Sequence, residues 1–195
     1  MTRARSCEVL VLGGGLAAAM AAITARQHGA DVVMVVKGKI GDSGSSSKAA
    51  GVFAAAFNHS ADLDATLEDN VDLHVADTLA IGCELSSQPH ARALAEDALE
   101  GVLELERLGV AFSKNDSGLF HQVKLVGNSR HRGCSVVGSG HALMQTLRQR
   151  LIELGVTILE DTVATSLMKR GNDVTGARVR ALSDNDETAI FAKGT

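Results

Sequence analysis

Near the start of the sequence, Gly13-x-Gly15-x-x-Ala18 follows a short apolar run and opens an Ala-rich stretch. That spacing suits the binding of a pyrophosphate. Gly13 permits a sharp turn, Gly15 lets backbone approach the anion, and Ala18 is small enough for a helix to pack on a sheet. The helix N-terminus supplies N–H donors, so Gly14, Leu16 and Ala17 join the candidate contacts through main chain. The bland alternative is a glycine turn that serves close packing only.

The next apolar run ends Val35-Val36-Lys37. A nicotinamide site expects Asp or Glu about 20 residues after the glycine turn, on the ribose hydroxyls. No acid stands there, and Lys37 has three readings: a cation for the 2′-phosphate of NADP, part of an FAD site that holds its ribose differently, or a solvated strand end. The segment 37–52 is rich in Ser and Gly. Small residues let a loop run close under a long ligand, and its N–H and hydroxyl groups suit pyrophosphate and flavin atoms, which favours FAD.

Other chemistry finds little support. Cys7, Cys83 and Cys134 are dispersed with no Cys-x-x-Cys, a pattern of free thiols in a reducing compartment. The seven histidines do not pair at metal-ligand spacing, and His74 with Asp77, three apart, reads as a helix-face hydrogen bond. Lys124 and Arg130-His131-Arg132 form a basic cluster that could meet a phosphate or carboxylate; a solvated loop is the simpler account. There is no Gly-x-Ser-x-Gly, and Glu96, Asp97, Glu100, Glu104 and Glu106 read as a solvated helix face.

These residues need elements to hold them. Residues 7–12 read as a strand, 16–28 as a helix and 31–36 as a β-branched parallel strand, the opening of a Rossmann-like sheet. Helices are expected over 64–82, over 89–108 with Leu94, Ala98, Val102, Leu105 and Leu108 on one face, and over 140–154 with Leu143, Leu147, Leu151 and Leu154. Residues 110–135 read as irregular, and 156–160, 162–168, 174–182 and 188–193 as the strands of a C-terminal β-meander. The fold class is α/β: a Rossmann-like domain with a central parallel sheet, a helical insertion and that meander. In the 195 residues, 45% are apolar and 22% charged, with net charge −4 and no Trp or Tyr, which argues against a nucleic-acid surface. Arg3 and Arg5 before residues 9–22 imitate a signal peptide, but Gly13-Gly14-Gly15 breaks the apolar run. No uninterrupted run of roughly 18 apolar residues is present to span a membrane.

Taken together, these segments resemble the N-terminal part of the succinate dehydrogenase/fumarate reductase flavoprotein family, which includes L-aspartate oxidase. Val36-Lys37-Gly38 is similar to the family's Ser-Lys at the adenosine ribose, and Ser45-Ser46-Ser47-Lys48-Ala49-Ala50-Gly51 to its flavin-ring loop, which ends Ala-Gln-Gly-Gly. His74-Val75-Ala76-Asp77-Thr78 resembles its His-x-x-Asp-Thr helix, and 105–112 with Asp116-Ser117-Gly118 its Leu-Glu-x-x-Gly-Val-x-Phe and Asp-Gly segments. Arg132-Gly133-Cys134 and Gly140-His141-Ala142-Leu143 resemble its Arg-Thr-Cys and Thr-Gly-His-Ala-Leu stretches. Departures are Ala50 and Val52 in place of the family's Gln and second Gly, and one residue fewer around 137–140.

The resemblance implies Lys37 and Gly38 at the ribose, Gly44, Ser45, Ser46, Ser47, Ala49, Ala50 and Gly51 along the flavin, and main chain of Val163 and Ala164 near adenine. Members with covalent flavin carry His near the position of Ser45, so FAD is expected to be non-covalent. The implied activity is hydride exchange between flavin and a dicarboxylate, with L-aspartate oxidation, an NADPH-dependent reductase and a non-catalytic remnant as alternatives. The implied partners are an iron–sulfur electron-transfer subunit or a second chain that completes the flavoprotein, in the cytoplasm or peripheral at the inner face of the membrane. In the family, a strand leading to Ala-Thr-Gly-Gly and a substrate-binding cap follow the position where this chain reads Ala192-Lys193-Gly194-Thr195. The expectation is therefore a single, incomplete FAD-binding domain over residues 1–195, with no catalytic residue in the chain, no metal site and no turnover alone.

Overall fold

The computed structural model describes residues 3–57, 69–183 and 186–194. Along the chain run β1 (Arg3–Leu12), α1 (Leu16–Gln27), β2 (Val32–Val35), α2 (Ser45–Lys48), β3 (Val52–Ala54), α3 (Val71–Ile81), α4 (Gln88–Arg107), β4 (Gln122–Lys124), β5 (His131–Ser135), α5 (Ser139–Glu153), β6 (Thr157–Leu159), β7 (Thr162–Arg170), β8 (Asp173–Ala181) and β9 (Glu187–Gly194). Two compact units divide them, residues 1–49 with 140–195, and residues 50–139.

The first unit is built on a six-stranded sheet in the order β6-β2-β1-β9-β8-β7. Strands β6, β2, β1 and β9 are mutually parallel, and β8 and β7 continue antiparallel from β9. All four residues of β2 are buried, as expected of a β-branched strand covered on both faces. One core gathers Cys7, Leu10, Val33, Val35, Ala177, Val179 and Ile190. Helix α1 buries Ala19, Ala22 and Ile23, and α5 buries Leu143, Met144, Leu147 and Leu151.

Two details differ from the meander expected over 156–195. β6 pairs with β2 and so joins the parallel sheet, and β9 is hydrogen-bonded to β8 on one side and parallel to β1 on the other. Turn spacing identifies hairpins, but parallel partners lie far away in sequence and leave no local signal.

In the second unit β3, β5 and β4 form an antiparallel sheet beside the α3–α4 pair. This corrects the irregular reading of residues 110–135: β5 pairs with β3 some eighty residues upstream, at Val52↔Ser135, Phe53↔Cys134 and Ala54↔Gly133. Helix α3 begins at Val71, where the Asn70 side chain accepts the Leu73 N–H at 2.9 Å. Residues 64–68 of the longer helix expected there lie outside the described residues. Helix α4 buries Ala91, Ala95, Val102 and Leu105 and leaves Leu94 60% exposed, so Leu94 is off the buried stripe.

Candidate functional site

The turn after β1 puts Gly13 at φ +135°, a conformation that side chains with a Cβ rarely adopt. Gly13 N–H donates to Val35 O at 2.9 Å, which sets the end of β1 beside the end of β2. Gly15 is the N-cap of α1, and no side chain of its own closes that helix end. Instead the Leu16 N–H donates to Ser46 Oγ at 3.1 Å, and a Cβ on Gly15 would press on that same hydroxyl at 3.1 Å. The first turn of α1, with Leu16, Ala17 and Ala18, thus meets the serine loop directly.

Gly13, Gly14, Gly15, Val36, Lys37, Gly38, Ser43 and Gly44 line one cavity of about 440 Å³. Six of these were candidates from the sequence, and the structure adds Val36 and Ser43. Ser45, Ser46 and Ser47 lie on a short turn of helix, α2, capped by Gly44 and Ala49. Ser45 is exposed, whereas the Ser47 hydroxyl donates to Ser43 O at 3.1 Å and Gly44 O at 3.0 Å and so braces the loop. Ala49 closes the first unit, and Ala50 and Gly51 open the second. Val163 and Ala164 follow Thr162 at the start of β7, where the Thr162 N–H donates to Val36 O at 3.0 Å.

The Lys37–Gly38 segment is anchored from β6–β7. Asp161 N–H donates to Gly38 O at 3.2 Å, and Ile40 N–H to Glu160 Oε1 at 3.1 Å. Arg148 of α5 grips the Glu160 carboxylate from the other side, at 3.2 and 3.3 Å. Burial works against ionisation of Glu160, but its hydrogen bonds from Arg148 and Ile40 and the charges of Arg148 and Lys39 outweigh it and hold the carboxyl below its ordinary range. Neither Arg148 nor Glu160 carries a sequence signal of this role, being twelve residues apart on different elements.

The other candidates fall outside this cavity. Arg132 is fully buried, which overturns its reading as part of a solvated basic loop. Its guanidinium donates to both oxygens of Asp69 at 2.7–3.0 Å, to Asp77, and to Asn128 Oδ1 at 3.2 Å. Asp77 accepts from Arg132 and from Ser129 N–H and Oγ–H, so the carboxylate serves that network and not the His74 ring expected from the spacing. The buried His74 Nδ1 has no hydrogen-bond partner. Burial and the neighbouring Arg132 charge lower the His74 pKa against the pull of Asp69 and Asp77. The acids of α4 form the solvated face expected, Glu100 and Glu104 pairing with Arg107, and Glu96 with Arg92. Among the described residues no cluster of His, Cys, Asp or Glu could hold a metal ion, and no helix is long and apolar enough to cross a membrane.

Comparison with known proteins extends this picture. The family model of the FAD binding domain matches residues 8–195. One fumarate reductase (CoM/CoB) subunit, from Methanothermobacter marburgensis, is 30% identical over 190 residues, 97% of this chain and 34% of the relative. L-aspartate oxidase of Neisseria meningitidis serogroup B is 33% identical over 142 residues, 72% of this chain and 26% of the relative. Among solved structures, Mycobacterium smegmatis Sdh1 in complex with UQ1 superposes with a TM-score of 0.88 at 25% identity, over 97% of this chain and 33% of that one. The chain spans about a third of the length of the fumarate reductase relative and of the Sdh1 structure.

Proposed function

We propose a function from the fact that this chain belongs to the FAD-binding domain family of fumarate reductase/succinate dehydrogenase-type flavoproteins: it is the cofactor-holding part of an oxidoreductase that moves a hydride between flavin and a dicarboxylate. FAD is the cofactor of this family. The observation that carries the reading is the cavity of about 440 Å³ where the glycine turn, Lys37 and the serine loop converge. Its residues fit the group. The turn is closed by glycines, and α1 presents its N-terminus there without a side-chain cap of its own.

In this reading the main chain of residues 13–17 holds the pyrophosphate, Lys37 and Gly38 hold the ribose, and the loop containing Gly44, Ser45, Ser46, Ser47, Ala49, Ala50 and Gly51 follows the flavin. Val163 and Ala164 offer main chain to adenine. When bound, FAD supplies the electron- and hydride-transfer chemistry, and the protein contributes orientation and electrostatics. Ser46 already accepts one N–H of the helix terminus, which leaves its hydroxyl proton free to serve an anion. Ser45 stands near the position where covalent members carry His, so the bound cofactor is released on denaturation. Fumarate or succinate is the substrate class supported by the fumarate reductase relative, and aspartate is the alternative supported by the L-aspartate oxidase relative. An iron–sulfur subunit or a chain completing the flavoprotein is the partner. The absence of a membrane-crossing helix among the described residues is compatible with a cytoplasmic or peripheral location.

Titration of the purified chain with FAD and with NADPH tests the assignment. FAD is expected to bind the more tightly and to leave the protein on acid precipitation. Tighter binding of NADPH would instead assign Lys37 to a 2′-phosphate and overturn the flavin reading.

A further inference from the structure

The cofactor loop between Gly38 and Ala49 has no sheet ladder of its own. Its internal bonds are turns, such as Ser43 N–H to Lys39 O at 3.1 Å. Besides the anchors from α1 and the β6–β7 turn, α5 holds it at several points. The Gly140 N–H donates to Ala49 O at 3.0 Å, and a Cβ at position 140 would overlap the Ser46 carbonyl oxygen. His141 Nδ1 lies 2.9 Å from Gly41 O. A carbonyl only accepts, so Nδ1 carries the proton. Gln145 Nε2 donates to Asp42 Oδ1 at 3.1 Å, and Arg148 reaches Ile40 through Glu160. Positions 141, 145 and 148 follow i, i+4, i+7 spacing and therefore share one helix face.

We propose that this face of α5 sets the affinity for the cofactor, with His141 and Gln145 as positioning residues that hold the loop in its binding conformation without touching the ligand. The proposal rests on the FAD reading above. A loop that is partly disordered before binding lowers apparent affinity by the fraction of molecules in the competent conformation. His141 and Gln145 stabilise that conformation by fixing Gly41 and Asp42, between the ribose segment and the serine turn.

Three forms of the full chain test this: wild type, H141A/Q145A, and H141N/Q145A, in which the Asn amide restores an N–H donor near the Nδ1 position. FAD affinity is read by flavin fluorescence, and backbone hydrogen exchange over residues 38–49 is read in the protein without cofactor. H141A/Q145A is expected to bind FAD roughly tenfold more weakly and to exchange faster over 38–49, with β2 and β9 unchanged. H141N/Q145A is expected to recover part of both. Wild-type affinity in H141A/Q145A, or no recovery with Asn, overturns the proposal while leaving the FAD reading intact. If wild type binds no FAD, the FAD reading fails and the affinity claim with it, whatever the exchange over 38–49 shows.

Discussion

Arg132 is a charge wholly removed from water, and its partners make it tolerable. Two carboxylates and one amide oxygen surround the guanidinium. Removing the cation leaves the buried Asp69 carboxylate without its ion-pair partner and leaves Asp77 only its Ser129 donors, at a cost of about 3–5 kcal/mol. We expect Arg132→Ala to lose that much in denaturant unfolding. Arg132→Lys should recover little, because an ammonium cannot reproduce the two-pronged contact to Asp69. The thiols give a second residue-scale prediction. Cys7 and Cys134 are buried and Cys83 is exposed, and burial pushes the Cys134 thiol up to about 11. Under native conditions at mildly alkaline pH, mass spectrometry should find alkylation at Cys83 alone, with Cys7 and Cys134 reacting after denaturation. At this scale the sequence is deceptive. Arg132 stands beside Arg130 and His131 and reads as surface, because its acids are 63 and 55 residues upstream.

Helices were legible to within one or two residues at α1, α4 and α5, since apolar spacing, an N-terminal Pro and C-terminal Gly are all local signals. Strands β3, β4 and β5 were not. Each has three to five residues; β3 and β5 pair across some eighty residues, and the nearby β4–β5 pairing is interrupted by a register shift. The apolar stripe of α5 gives the element-scale prediction. Leu147 is completely buried, so Leu147→Ala should destabilise the fold by about 2–5 kcal/mol, measured as a fall in the denaturant midpoint at unchanged slope. Gly13, Gly14 and Gly15 were legible as a glycine turn between strand and helix because the pattern is contiguous. The bracing of that site by His141, Gln145 and Glu160 was not, because it exists only once α5 and β6 have packed.

Across the whole molecule, several lowered pKa values act in one direction. His74, Asp77 and Glu160 all titrate lower in the fold than in a free chain. At Asp77, burial raises the pKa, but the hydrogen bonds from Arg132 and Ser129 and the Arg132 charge outweigh it. For each group the unfolded chain takes up protons first as pH falls, so the associated stability is present at neutral pH and lost on acidification. Loss should begin below about pH 6.5 with His74 and steepen below about pH 4.5 with the two carboxylates. His74→Leu should flatten only the upper part of a stability-against-pH curve measured by urea unfolding, and an unchanged curve would count against it. The path of the chain between the two units carries a different consequence. It leaves the first unit at Ala49 and returns at Gly140, and those two residues are hydrogen-bonded to each other at 3.0 Å. Residues 50–139 can therefore be regarded as a cassette spliced into one tight bend of the first unit. Joining the two sides of that splice with a short Gly linker closes a negligible loop. The resulting miniature of about half the length should fold cooperatively, and its circular dichroism melt decides whether the cassette is dispensable.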